Sequence, residues 1–153
     1  MTRRVFAILA VLAVPFAMFA AGKPEAKTTV DKLMMFSVAV SDMPKARAFY
    51  ADELGLRVTS DHRINDLNWW VSLAFPEGGA SIVLTTAHEN MKPGSMKLYL
   101  TSSDIAAAHD NLVQKSARVS EINDDLFGPG SGVKWFSLAD PDGNQVLLVQ
   151  AAR

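Results

Sequence analysis

Residues 135–150, WFSLADPDGNQVLLVQ, read as two strands joined by a tight turn. In Asp140-Pro141-Asp142-Gly143 the proline takes the second turn position and the glycine the fourth, which suits a type I turn with a following bulge. The two aspartates also invite a metal-binding reading. A calcium loop of the EF-hand kind needs a glutamate eleven residues beyond Asp140, and Ala151 stands there instead. The turn is therefore read as structural, and its flanking strands as a hairpin.

The same grammar occurs earlier in the chain. NWWVSLAF (68–75) and ASIVLTT (80–86) are extended candidates joined by Pro76-Glu77-Gly78-Gly79, again hairpin chemistry. Upstream, LMMFSVAV (33–40) alternates Phe36, Val38 and Val40 with smaller residues, as a strand does. Ser41 and Asp42 then supply a helix N-cap, with Pro44 tolerated in the first turn. Met43, Ala46, Phe49, Tyr50 and Leu54 recur at helical spacing until Gly55, and LRVTSD (56–61) is a further strand. The first half reads β-α-β-β-β. The second half repeats it: KLYLT (97–101), a helix capped by Ser103 or Asp104 with Ile105, Ala108, His109 and Leu112 on its apolar stripe, then ARVSEI (117–122), GVKWFSLA (132–139) and NQVLLVQ (144–150). Asp42 and Asp104 lie 62 residues apart, and Pro76 and Pro141 lie 65 apart. So regular a period predicts a duplicated module.

VAVSDMPKARAFYADELGLRV followed by FSLADPDGNQVLLVQ resembles the glyoxalase, bleomycin-resistance and extradiol-dioxygenase superfamily, the vicinal oxygen chelate fold. The matching elements are V-x-V-x-D, A-x-x-F-Y and L-G-L near the start and F-x-x-x-DPDGN near the end. The likeness covers about residues 33–150. It implies an α+β fold of two tandem βαβββ modules, about 33–87 and 95–150 within a domain at 32–152. Their sheets would curl into a cup-shaped incomplete barrel with helices outside and ligands inside.

Strand parity predicts which side chains face the cup. With Phe36, Val38 and Val40 backing the helix, Met35, Ser37 and Ala39 face in. By the same alternation Ser81, Val83 and Thr85 face in, as do Lys97, Tyr99 and Thr101, and Gln145, Leu147 and Val149. Metal-dependent members of the family carry one ligand on each of four strands, usually His or Gln near each module's start and Glu on its last strand. The resemblance places those positions on Met35, Lys97 (or Met96 after a one-residue slip), Val83 and Leu147. None offers imidazole or carboxylate, so no metal or other cofactor is expected, and a dioxygenase or glyoxalase I of the usual kind is disfavoured.

Of the three histidines, His62 and His88 read as surface-loop positions and His109 as a packed core residue. Trp135 and Ser137 share a face, and one of the adjacent Trp69 and Trp70 must point inward. Aromatic walls with a few hydroxyls describe a site for a planar organic molecule. The expected ligand-binding residues are Met35, Ser37, Trp69, Trp70, Val83, Lys97, Tyr99, Trp135 and Leu147, with Lys97 and Tyr99 weak catalytic candidates beside a loop carboxylate. Loop 122–132, INDDLFGPGSG, is either a flap over the cup or a plain connection. Asp124 and Asp125, with Asp61 and Asp66, would make either an acidic mouth for a cationic ligand or a solvated acidic surface.

MTRRVFAILAVLAVPFAMFAAGK has Arg3 and Arg4, an uncharged run from Val5 to Ala21, and small exit residues, the pattern of a secretory signal peptide at 1–22. As a retained membrane anchor the run would be at the short limit for spanning and is interrupted by Pro15. Residues 23–31 read as a polar linker. A periplasmic or secreted protein without cysteine is consistent with this, since export permits disulfides without requiring them. The chain's net charge of −1 and the lack of a basic run exclude nucleic acid as an expected partner. No membrane association is expected after cleavage, and a homodimer is expected from the family likeness. Two functions follow from the sequence. One is a metal-free module that binds or sequesters a small planar molecule; the other is a glyoxalase-like lyase or isomerase acting on a small carbonyl compound, metal-independent or with relocated ligands.

Overall fold

The computed structural model describes residues 30–115 and 117–151. The expected signal peptide and nearly all of the expected linker lie outside the described residues. Among those described, no helix is long and apolar enough to cross a membrane.

The element order is β1 (Met35–Ala39), α1 (Met43–Arg47), a π-helical turn (Ala48–Glu53), β2 (Arg57–Asn65), β3 (Asn68–Ala74), β4 (Ser81–Thr85), β5 (Lys97–Ser102), α2 (Ile105–Gln114), β6 (Trp135–Ala139) and β7 (Gln145–Gln150). Both helices begin where an aspartate can accept from an otherwise orphaned backbone amide. Asp42 accepts from Lys45 N at 3.1 Å and Asp104 from Ala107 N at 3.0 Å. After Arg47 the first helix widens, and Leu54 N donates to Phe49 O five residues back, at 3.0 Å. The wider turn lets the consecutive residues Phe49 and Tyr50 both point inward, their rings edge to face with centroids 5.1 Å apart. Gly55, at φ +78°, then turns the chain out of the helix as no β-carbon-bearing residue easily would.

Each module closes a parallel pair around its helix: β1 pairs with β4, and β5 with β7. The sheets run β1-β4-β3-β2 and β5-β7-β6. The family fold expected from the sequence is thus present as two open sheets without a closed barrel. The expected strand at 117–122 is the exception, because it forms only an isolated bridge at Val119–Leu138, with a second just beyond it at Asn123–Trp135. Its ladder breaks at Ser120. That residue's amide donates to Ser137 O at 2.8 Å, but Ser137 N donates to the Ser120 hydroxyl at 2.9 Å rather than to its carbonyl. A side chain has taken the place of a backbone partner. β2, by contrast, continues four residues past its expected end at 61, to Asn65.

One apolar core serves both modules. Val38, Val71, Leu73, Ile82 and Leu84 of the first sheet join Leu98, Phe136, Leu138, Val146 and Leu148 of the second, with Met43, Phe49, Tyr50, Ile105 and Leu112 from the helices. Burial of each large aliphatic or aromatic side chain contributes roughly 1.5–3 kcal/mol. The DPDGN turn fastens the modules together. Asp140, nearly buried, accepts the Tyr50 hydroxyl at 3.0 Å and the Asn144 amide at 2.8 Å on Oδ2, and Asp142 N and Asn144 N on Oδ1. Asp142 reaches the end of β1, accepting from both Ser41 N and the Ser41 hydroxyl.

Candidate functional site

Strand register sorts the face opposite the helices into rows, and the two modules match row for row. On the first sheet, the pairings align Met35, Ser81, Ala74 and Arg57 in one row. Ser37, Val83, Ser72 and Ser60 form the next, and Ala39, Thr85, Trp70 and His62 the third. On the second sheet the corresponding rows begin Lys97, Gln145, Ala139, then Tyr99, Leu147, Ser137, then Thr101, Val149, Trp135. Ser120 and Asn123 extend the last two rows through their contacts with Ser137 and Trp135. Trp70 and Trp135 therefore occupy equivalent positions in the two modules. Val83 and Leu147 are buried yet stand outside the common core, as residues of this opposite face must.

The parity expected from sequence thus places Met35, Ser37, Val83, Lys97, Tyr99, Trp135 and Leu147 on this face. Of the adjacent tryptophans it is Trp70 that joins them. Trp69, expected among the ligand-binding residues, lies on the other side and packs against the core. Its indole donates to Asp61 at 2.6 Å and the Arg63 guanidinium lies 4.3 Å from its ring centroid. Asp66 is held by Arg63 on that same outer side. Asp61 and Asp66 therefore do not combine with Asp124 and Asp125 into an acidic mouth.

His62 is a residue the sequence reading misplaced. It lies within β2 rather than in a loop, and its ring stacks on Trp70 with centroids 5.9 Å apart. The clue was Asn65-Asp66, a turn signal separated from NWWV only by Leu67, which carries the preceding strand up to the hairpin. Asn65 indeed accepts from Leu67 N at 3.0 Å to close that turn. His88 is partly buried, with Nε2 2.8 Å from the carbonyl of Val40. His109 packs edge-on against Phe136, as expected of a core histidine, and its Nε2 lies 3.2 Å from Ser120 O.

The long loop before β6 folds over the second sheet. Leu126 and Phe127 enclose an almost wholly apolar cleft of about 360 Å3 with Tyr99, Thr101 and Val149 as its floor. The loop is held by the Trp135 indole, which donates to Asp125 at 3.3 Å, and by the paired bonds between Asn123 and Trp135. Phe127 remains 79% exposed and Tyr99 58% exposed, so an apolar occupant has surface still to cover. At the other end of the same face, Arg118, Ser120, Ser137 and Gln145 line a second, more polar depression.

For acid–base chemistry the site offers little. Lys97 Nζ sits 5.5 Å from the Tyr99 ring centroid, and neither side chain meets a carboxylate or imidazole partner among the described residues. Among those residues no three His, Asp or Glu side chains converge. The thioether, amine and aliphatic groups of Met35, Lys97, Val83 and Leu147 do not fit a hard or borderline divalent ion.

Comparison with known proteins agrees with this fold. The chain is similar to TnmS3, an antibiotic-binding protein from Streptomyces sp. CB03234, with 27% identity and a TM-score of 0.72 over 82% of this chain and 100% of that one. A glyoxalase/bleomycin resistance protein from the same organism gives 28% identity and a TM-score of 0.66 over 78% of this chain and all of its own. A superfamily member from Sphaerobacter thermophilus shares the fold at 22% identity, with a TM-score of 0.68 over 80% of this chain and 98% of that one. No curated protein matches. The family model for the Glyoxalase/Bleomycin resistance protein/Dioxygenase superfamily matches residues 31–148. The chain belongs to that superfamily.

Proposed function

We propose that this protein is an exported, metal-free binder of a small planar organic molecule, held on the face that carries Trp70 and Trp135. The observation that supports the reading most is the apolar cleft that Leu126 and Phe127 form over Tyr99, Thr101 and Val149, next to Trp135. Flat aromatic surface with a few hydroxyls at its edge recognises planar ligands by stacking and desolvation. The description of TnmS3 as antibiotic-binding is consistent with it. Residues that cannot hold a divalent ion stand at the four positions where metal-dependent relatives carry ligands. Each sheet presents its ligand face openly, and a homodimer would enclose what a single chain leaves exposed. A lyase or isomerase without metal would have Lys97 and Tyr99 alone for its chemistry and takes second place.

The test is tryptophan fluorescence of the purified chain titrated with planar aromatics and glycopeptides. Saturable quenching by at least one planar compound is expected. A flat response across the panel would remove the basis of the proposal.

A further inference from the structure

Charge is segregated on the ligand face. The row farthest from Trp135 begins with Lys97 and Gln145, and Arg118 borders the depression that Gln145 lines. In the first module the equivalent corner is Arg57. No aspartate or glutamate occupies any of the paired positions on this face of either sheet, although the chain carries 16 acidic residues against 15 basic ones. Neither Lys97 nor Arg118 forms an ion pair among the described residues, even though Glu53 lines the adjoining cleft with Arg118. At the aromatic end the Asp125 carboxylate accepts from the Trp135 indole.

Lys97 beside Gln145 at one end, with Arg118 about 14 Å away across the same row, and an apolar, aromatic cleft at the other end define an oriented ligand. Resting on the reading of this face as a binding site, we propose that the ligand is an aromatic acid: a fused-ring planar body bearing one anionic group. The rings lie beside Trp135 beneath Leu126 and Phe127, and the anion lies at Lys97 and the Gln145 amide, with the long Arg118 side chain reaching in from across the row. Val149, opposite Trp135, is four residues from Gln145, so the two ends are about 13 Å apart along the strand. That is the span of a tricyclic acid. The Lys97 ammonium and Arg118 guanidinium are worth most there because charge-assisted hydrogen bonds to an anion are about twice as strong as neutral ones.

The test uses three ligands on one ring system whose 2-substituent is anionic, neutral or cationic: anthraquinone-2-carboxylate, 2-(hydroxymethyl)anthraquinone and 2-(aminomethyl)anthraquinone. Each is titrated into the full chain at neutral pH and followed by tryptophan fluorescence. The carboxylate is expected to bind at least roughly tenfold tighter than the alcohol, with the amine weakest. In the Lys97→Met/Arg118→Gln double variant the carboxylate should lose its advantage over the alcohol, and Lys97→Arg should retain it. Both side chains are exposed, and a matching thermal unfolding midpoint checks that the variant is folded. Equal affinity for all three, or preference for the amine, overturns the aromatic-acid assignment and leaves the binding reading standing. No binding of any of the three, in a chain that also ignores the broader panel, overturns both.

Discussion

The hydroxyl of Tyr50, on the first module's helix, donates to the carboxylate of Asp140, in the second module's last turn, at 3.0 Å with both groups buried. This bond and its neighbours explain why DPDGN carries two aspartates. Asp140 binds inward to Tyr50 and Asn144, and Asp142 binds across to Ser41. The turn holds the modules in register, which keeps the sheet faces opposite the helices in place.

Removing the Asp140 carboxylate should therefore be costly. Asp140→Ala strands the Tyr50 hydroxyl and amides of Asp142 and Asn144, and the loss expected is about 1–3 kcal/mol or more of unfolding free energy. Tyr50→Phe, which removes one donor and leaves the other bonds, should cost about 1 kcal/mol. Urea unfolding of the two variants measures both. Equal stability of Asp140→Ala and the parent would contradict the role given to the turn.

Burial, followed by the negative charge of Asp140, pushes the Tyr50 phenol well above its ordinary value of 10.0. The folded state thus keeps a proton that the unfolded chain releases. The associated stability is complete below pH 10 and drains away as pH rises from 10 toward the folded value. Unfolding free energy should accordingly fall at strongly alkaline pH in the parent, and this part of the decline should be missing in Tyr50→Phe. Parallel pH profiles would rule the linkage out.

Gly94 makes a sharper prediction about the loop between the modules. A β-carbon there would lie 2.4 Å from the carbonyl oxygen of Asp142, on a backbone with φ +78°. Gly94→Ala should therefore destabilise the protein by more than about 1 kcal/mol, since both the backbone and the turn must shift. A thermal melt measures the loss, and an unchanged midpoint would refute the contact.

The tryptophans separate binding from packing. Trp135→Ala should weaken a planar ligand by about tenfold, consistent with one lost aromatic contact, and Trp70→Ala, on the other sheet, should weaken it less. Trp69→Ala should leave affinity unchanged, because Trp69 lies on the outer side under Arg63. Calorimetric titration of the three variants would reveal any reversal of that order.

Much of this arrangement was legible in the sequence. Period-two alternation put Val83 and Leu147 on the face opposite the helices, because a strand with one strongly apolar side leaves its register little freedom. The choice between Trp69 and Trp70 was not legible, since both are large and apolar and only the pairing with Thr85 decides it. Ser120 misled for a related reason. A strand-like pattern cannot show that a hydroxyl will replace the carbonyl as acceptor for Ser137 N. The flap was open as an alternative, and the cleft under Leu126 and Phe127 is what gives it content.

Native mass spectrometry of the protein purified from its own organism is the most direct test of the account. A dimer mass with a bound small organic molecule, and without stoichiometric metal, is the predicted result. A protein that carries stoichiometric zinc, nickel or iron and no organic molecule would contradict it.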